Sequence, residues 1–146
     1  MTFLDANVVI YAVGTAGTLR DAATAILDAA IDRPGTLVTD SEALQELLHV
    51  YTRREGIERA REVLAFTFGL IADGIEPVTA SDVIAAANAD LHPRLQARDR
   101  VHIAVMRRIG AGTIVTSDRG FDLVPGIRRL DPLQFDDWRD DVFASP

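Results

Sequence analysis

The sequence predicts a three-layer α/β/α fold, in which helices cover both faces of a central, mainly parallel sheet of four or five strands. Short apolar runs of strand type alternate with longer segments whose apolar residues recur at helical spacing. Nearly half of the 146 residues are apolar, and no apolar run approaches the roughly 20 residues of a membrane helix. We therefore expect one domain over residues 1–146, with no repeat, no linker and no membrane span.

Five apolar runs predict the strands, in chain order at residues 3–4, 37–38, 75–78, 113–116 and 127–130. A turn and a short helix follow the first. The third contains Pro77, which has no N–H to donate, so this strand should lie at an edge of the sheet. After the fifth, Asp131 and Pro132 begin a short terminal segment. Its aromatic residue Trp138 either packs back on the domain or joins an interface.

In the N-terminal half, start and stop signals support three helices. The first runs over residues 19–32 and ends at the Arg33-Pro34-Gly35 segment. Thr39 and Glu42 have the spacing of a capping box, with Thr39 as the N-cap, and begin the second. The third runs over about residues 57–70.

In the C-terminal half, Thr79 and Asp82 form a similar box and precede a helix over residues 83–91. A break at His92-Pro93 follows. The next helix opens at Arg98-Asp99 and ends near Gly110, and residues 117–122 form a tight turn or short helix.

The composition excludes several kinds of chemistry. All 15 basic residues are arginine, and there is no cysteine, so a P-loop lysine, a Schiff-base lysine, disulfides and thiolate metal sites are impossible. The first residues lack the basic region of a signal peptide, which predicts a cytoplasmic protein. A net charge of −7 argues against a protein that simply coats nucleic acid. It still permits a nuclease, because a metal ion can neutralise clustered acids.

Four acidic residues occupy positions that favour a shared site. Ligands of open α/β sheets bind beyond the carboxyl ends of the strands. Asp5 follows the first strand and Asp118 follows the fourth. Asp99 opens the helix before the fourth strand, and Glu46 lies one turn inside the helix after the second. Each also has a structural interpretation, since the three aspartates could be helix N-caps and Glu46 a solvated acid; Asp40 and Glu42 are assigned to such structural roles.

Four carboxylates at one place would repel each other and raise their pKa values. Mg²⁺ or Mn²⁺ would relieve the repulsion, because both are hard cations that prefer oxygen ligands. Asp99 shares a helix face with Ile103 and Met106, where an unpaired charge is costly. No histidine pair has the spacing of a zinc helix. His102, one turn after Asp99, is interpreted as a surface or hydrogen-bonded histidine rather than a substrate ligand.

The segments around these acids resemble the PIN-domain ribonucleases, specifically the VapC-type toxins of bacterial toxin–antitoxin pairs. The matching segments are residues 3–10, 44–48, 98–104 and 114–122. The resemblance implies that Asp5, Glu46, Asp99 and Asp118 are the catalytic, metal-binding acids of a Mg²⁺-dependent ribonuclease, with Mn²⁺ able to substitute. It adds Asp122 as a further metal ligand, which could instead only close the turn after Phe121.

The resemblance also implies supporting roles and partners. Three polar residues would steady the acids or touch a phosphate, or else stabilise turns: Asn7, Thr116 and Ser117. Four arginines are candidates for the rim that binds RNA: Arg94, Arg98, Arg100 and Arg119. The pairs at residues 53–54 and 107–108 are interpreted as solvated helix ends. A cognate antitoxin and a homodimer are expected, with the apolar stretch 63–71 as interface or core.

Three alternatives to this function remain open. One is a catalytically inactive binding module of the same fold, and another is a housekeeping RNA-processing nuclease without an antitoxin. A third is a structure-specific DNA nuclease of the flap type, which usually has more acids and a longer framework. A phosphohydrolase with Asp5 as nucleophile is disfavoured, because such proteins usually need a lysine beside the phosphate.

Overall fold

Five parallel strands form one sheet in the order β3-β2-β1-β4-β5 in a computed structural model, which describes residues 1–144. The last two positions of the predicted domain, 145 and 146, lie outside the described residues. The strands are β1 (Thr2–Leu4), β2 (Leu37–Asp40), β3 (Ile75–Glu76), β4 (Thr113–Val115) and β5 (Arg128–Leu130). Phe3 pairs with Val38 of β2 and Ile114 of β4, so β1 lies at the centre. The predicted parallel sheet and the edge position of the strand before Pro77 are confirmed.

Helices cover both faces of this sheet, as predicted. They are α1 (Ala6–Ala12), α2 (Thr18–Asp32), α3 (Ser41–Arg54), α4 (Ile57–Ile71), α5 (Ala80–Asn88), α6 (Ala97–Ile109) and α7 (Phe135–Phe143). Three short 3₁₀ segments lie at Ala72–Gly74, Arg119–Leu123 and Pro132–Gln134. Successive strand residues face opposite ways. Leu4 therefore packs with the core beneath α1 to α4 and α7, whereas Phe3 packs with the core beneath α6.

The start of α3 differs from the prediction. Strand β2 continues to Asp40, and the buried Thr39 hydroxyl donates to the carbonyl oxygen of Leu4 at 2.8 Å. Asp40 is the N-cap instead, since its Oδ1 accepts a hydrogen bond from the N–H of Ala43 at 2.9 Å. The capping box from Thr39 to Glu42 is therefore wrong, because the threonine serves the neighbouring strand. The second predicted box, from Thr79 to Asp82, is confirmed.

Helix α5 ends at Asn88, three residues before its predicted end. The guanidinium of Arg100 on α6 donates to the carbonyl oxygens of Ala86, Ala89 and Leu91 at 3.0–3.2 Å. These bonds give partners to carbonyl groups at and after the C-terminus of α5, which would otherwise lack intrahelical donors, so the helix can end at Asn88.

The C-terminal segment packs back on the domain. Trp138 and Phe143 are buried, and the indole N–H of Trp138 donates to the carbonyl oxygen of Asp131 at 2.8 Å. On α4, Val63 is buried, but Phe66 and Phe68 are 43% and 53% exposed. Among the described residues no helix is long and apolar enough to cross a membrane.

Candidate metal centre

The carboxyl end of β1 is where three possible metal ligands meet. Asp5, Glu46 and His102 each offer one ligand atom, and these atoms all lie within 4.8 Å of one another. Asp5 directly follows β1 and is 7% exposed. Glu46 comes from α3 and His102 from α6. The carboxylates of Asp5 and Glu46 are the oxygen ligands that Mg²⁺ and Mn²⁺ prefer, whereas an imidazole such as that of His102 suits other metals better.

A hydroxyl group orients the central carboxylate. Thr116 is fully buried just beyond β4, and its Oγ1 donates to Oδ2 of Asp5 at 2.7 Å. The same hydroxyl oxygen accepts from the amide nitrogen of Asn7 at 2.9 Å and from the N–H of Asp118 at 3.0 Å. Because two donors point at Thr116, its own proton goes to Asp5.

The side chains around Asn7 extend this polar network. The Asn7 amide nitrogen also donates to Ser117 Oγ at 3.2 Å, and that hydroxyl lies 2.7 Å from the hydroxyl of Tyr11. The amide oxygen of Asn7 is buried and has no hydrogen-bond partner within residues 1–144. A buried polar atom without a partner is costly, so a bound group at this place would complete its bonding.

Asp99 and Asp118 cap helices and also interact through their charges with Asp5. We call these three aspartates and Glu46 the acidic group. One oxygen of Asp99 accepts from the N–H of Gln96 at 3.1 Å, and one oxygen of Asp118 accepts from the N–H of Gly120 at 2.8 Å. The second oxygen of each makes no hydrogen bond in the described part of the chain. The charge of Asp118 raises the pKa values of both Asp5 and Asp99. Capping and metal binding are therefore compatible here.

Burial raises the pKa values of three acids in this group, and their neighbours raise them further. For Asp5, burial is the main cause and Asp118 adds to it, although His102 and Thr116 act in the opposite direction. For Glu46, burial comes first, the Arg98 guanidinium opposes it, and the charge of Asp5 adds to it. The pKa of Asp99 is also raised by burial. A divalent cation would supply the positive charge that these carboxylates lack.

A buried ion pair beside the acids was not anticipated from the sequence. His102 Nδ1 lies 2.8 Å from Oδ2 of Asp40, and the two side chains are 1% and 0% exposed. Burial lowers the pKa of His102, but the hydrogen bond and charge of Asp40 outweigh it, so the pKa is raised. The interpretation of His102 as a hydrogen-bonded histidine is confirmed. The pair joins the start of α3, which carries Glu46, to α6, which carries Asp99.

The predicted RNA-binding arginines occupy different environments. Arg98 pairs with Glu46 at 3.1 Å and so lies at the edge of the acidic group. Arg94 and Arg119 are exposed. The guanidinium of Arg100 donates to backbone carbonyls at and beyond the end of α5, so these bonds occupy it, and its role at the RNA rim stays a prediction.

Asp122 is not brought together with the other acids. It is exposed, and its Oδ1 accepts from Arg129 Nε at 2.8 Å. Its charge is therefore already paired, whereas Asp5, Glu46, Asp99 and Asp118 interact with one another.

Fold and site together define an α/β protein with an acidic centre at the carboxyl edge of a parallel sheet. The PIN domain family model matches residues 2–127. Ribonuclease VapC13 of Mycobacterium tuberculosis is 38% identical over 134 residues, which cover 89% of this chain and 99% of that protein. The chain belongs to the PIN domain family, among its VapC-type ribonucleases, and the resemblance inferred from its motifs is confirmed.

Two solved structures share the fold. VapBC2 from Rickettsia felis, bound to a DNA fragment from its promoter, has a TM-score of 0.68 at 17% identity and covers 89% of this chain and 97% of its own. A toxin–antitoxin complex from Klebsiella pneumoniae has a TM-score of 0.64 at 15% identity, with 90% and 98% covered. The expected three-layer PIN-like architecture is thus confirmed.

Proposed function

We propose that this protein is a Mg²⁺-dependent endoribonuclease that hydrolyses RNA phosphodiester bonds as the toxin of a toxin–antitoxin pair. The observation that carries the proposal is the acidic group of Asp5, Glu46, Asp99 and Asp118 at the carboxyl edge of the sheet, with raised pKa values on the first three. A relative at 38% identity is named a ribonuclease, which supports RNA as the substrate. The intact acidic set argues against an inactive binding module.

The four acids would hold Mg²⁺, or Mn²⁺ in its place. When bound, such an ion polarises the scissile phosphate and lowers the pKa of an attacking water. Asp5, whose Oδ2 accepts a hydrogen bond from the Thr116 hydroxyl, would offer one carboxylate oxygen to the ion. A carboxylate of the group would accept the proton of the water, since its raised pKa brings it nearer to the pH at which the enzyme works.

Two side chains beside the acids would serve the substrate. Arg98 pairs with Glu46 while no other cation neutralises that carboxylate. A metal ion would compete for Glu46, and the guanidinium would then be available to a phosphate oxygen. The buried amide oxygen of Asn7, which lacks a partner in the described residues, is positioned to accept from bound water.

Antitoxin binding and dimer formation complete the proposal. The solved Klebsiella pneumoniae relative is a toxin–antitoxin complex, which supports a protein partner for this chain. The exposed rings of Phe66 and Phe68 on α4 offer apolar surface for the antitoxin or for a second copy. The protein would act in the cytoplasm, where its RNA substrate lies.

The proposal is tested by cleavage of single-stranded RNA with and without EDTA. Cleavage should stop in EDTA, return with excess Mn²⁺, and fall at least about 100-fold in Asp99→Asn, because loss of even a supporting group at a metal site costs 10- to 100-fold. Asp28→Asn, an exposed acid on α2, is the control and should behave as wild type. Cleavage that persists in EDTA and in Asp99→Asn would overturn the proposal.

A further inference from the structure

A cleft of about 570 Å³ opens directly beside the metal centre. Glu46 and Arg98 line one end of it, so the cleft and the acidic group share a wall. His49, Arg53 and Arg54 on α3 also line it, together with the apolar side chains of Ile10 and Val50. Positive groups thus continue outward from the acidic centre along α3.

A second cleft of about 550 Å³ continues from the first. Both are lined by Ile10 and Arg54, and the second reaches Arg20 and the ring of Tyr11. We call the joined clefts, with His49, Arg53, Arg54, Arg20 and Tyr11 along them, the basic trough. Its far end approaches the acids again, because the Tyr11 hydroxyl lies 2.7 Å from Ser117 Oγ, next to Asp118.

Positive charge is in excess along the basic trough, whose two clefts are lined by four arginines (Arg20, Arg53, Arg54 and Arg98) and two acids (Glu46 and Glu55). Arg53 and Arg54 are exposed and form no ion pair or hydrogen bond within residues 1–144. Elsewhere on the surface, Arg59 and Arg108 are paired with acids. On a chain of net charge −7, free arginines that adjoin the acidic centre produce a local attraction for a polyanion.

Position at a helix end does not by itself account for this grouping. Arg53 and Arg54 lie in the last turn of α3, where the helix dipole favours cations. Arg107 likewise lies in the last turn of a helix, α6, where the dipole favours a cation. It lines a cleft with Gly110 and Gly112, before β4 begins, and so belongs to the opposite edge of the sheet. Arg107 is therefore a matched control for position and charge.

We propose that single-stranded RNA flanking the scissile phosphate lies in the basic trough, with backbone phosphates bound by Arg53 and Arg54. This inference rests on the proposed ribonuclease function and adds the path of the substrate. The exposed arginines provide electrostatic contacts that do not depend on sequence. The Tyr11 ring offers a surface on which a base can stack.

The first test measures cleavage by Arg53→Gln, Arg54→Gln and Arg107→Gln. On a single-stranded RNA of about 20 nucleotides, each trough variant should raise KM about 3- to 10-fold and leave kcat within about 2-fold, since each loses one phosphate contact. Arg107→Gln should match wild type. Hydrolysis of bis(p-nitrophenyl) phosphate, which has no flanking nucleotides, should be equal in all four proteins.

The second test measures RNA binding by fluorescence anisotropy in EDTA, where nothing is cleaved. The slope of log K against log salt should become shallower by about 0.7 for each trough arginine removed. Unchanged KM and salt slope in both trough variants, or an equal change in Arg107→Gln, would overturn the trough proposal. A wild-type protein that hydrolyses neither substrate would instead refute the ribonuclease function itself.

Discussion

Replacing Asp5 by asparagine should stabilise the metal-free protein and at the same time remove its response to divalent metal. Asp5 is 7% exposed, and its pKa is raised by burial and by the charge of Asp118. Asparagine has nearly the same volume, and its amide oxygen can still accept the hydrogen bond from Thr116. The substitution therefore removes an unfavourable charge with little change in packing.

The expected gain follows from linkage between ionisation and folding. Each unit by which folding raises the pKa of a carboxyl group removes about 1.4 kcal/mol of stability at higher pH. The size of the gain should lie within the range of about 0.5–2 kcal/mol that single stabilising substitutions commonly give, so we expect Asp5→Asn to raise the Tm by up to about 8 °C at pH 7.5. Mn²⁺ at one hundred times its dissociation constant should stabilise the wild type by about 2.7 kcal/mol. Because the variant lacks a ligand, it gains far less, and the order of stabilities reverses.

Calorimetric unfolding in EDTA and in Mn²⁺ measures both effects. Asp28→Asn removes an exposed carboxylate on α2 and serves as the control, with Tm values close to wild type under both conditions. A lower stability of Asp5→Asn than of wild type in EDTA would show that the buried charge of Asp5 does not destabilise the metal-free protein. An equal rise in the Tm of both proteins with Mn²⁺ would show that Asp5 is not a metal ligand.

Three further predictions concern pH, the buried pair and the cell. The metal-free protein should lose stability as the pH rises from about 5 to 8, measured by urea unfolding at stepped pH. The raised pKa values of Asp5, Glu46 and Asp99 mean that the folded state binds more protons than the unfolded state. His102 changes the stability in the same direction. The stability that its pairing with Asp40 contributes is complete below the unfolded pKa of 6.5, and it is lost as the pH rises through the raised pKa of the folded state. A flat or rising profile would contradict this assignment. Asp40→Ala should cost about 3–5 kcal/mol in urea unfolding at pH 7, because it leaves His102 buried without its partner; a loss under about 1 kcal/mol would show that the pair is unimportant. Expression of the wild type alone should arrest growth and expression of Asp5→Asn should not, whereas normal growth with an enzyme active in vitro would favour a housekeeping nuclease.

The sheet and the position of its acids could be predicted because they depend on local rules. A residue that follows a strand of a parallel sheet lies at its carboxyl edge, so Asp5 and Asp118 were expected near each other. Pro77 marked an edge strand because it lacks an N–H. Helical spacing indicated α3 and α6, which carry Glu46 and Asp99 to that edge.

The remaining features depend on contacts between distant parts of the chain. Asp40 and His102 are 62 positions apart, and their pairing requires α6 to pack over the end of β2. Arg100 binds backbone carbonyls, which no pattern of side chains reveals. Thr39 has the spacing of an N-cap, but a carbonyl of β1 takes its hydroxyl. In each case the side chain bonds to a group that is distant in sequence, which a local sequence pattern cannot indicate.

A crystal soaked in Mn²⁺ tests the central claim most directly, since anomalous scattering locates the ion independently of activity. We expect a peak enclosed by the carboxylates of Asp5, Glu46, Asp99 and Asp118, and loss of that peak in Asp5→Asn crystals. A peak elsewhere on the molecule, or an acidic group that binds no Mn²⁺ at saturating concentration while the enzyme still cleaves RNA, would contradict it.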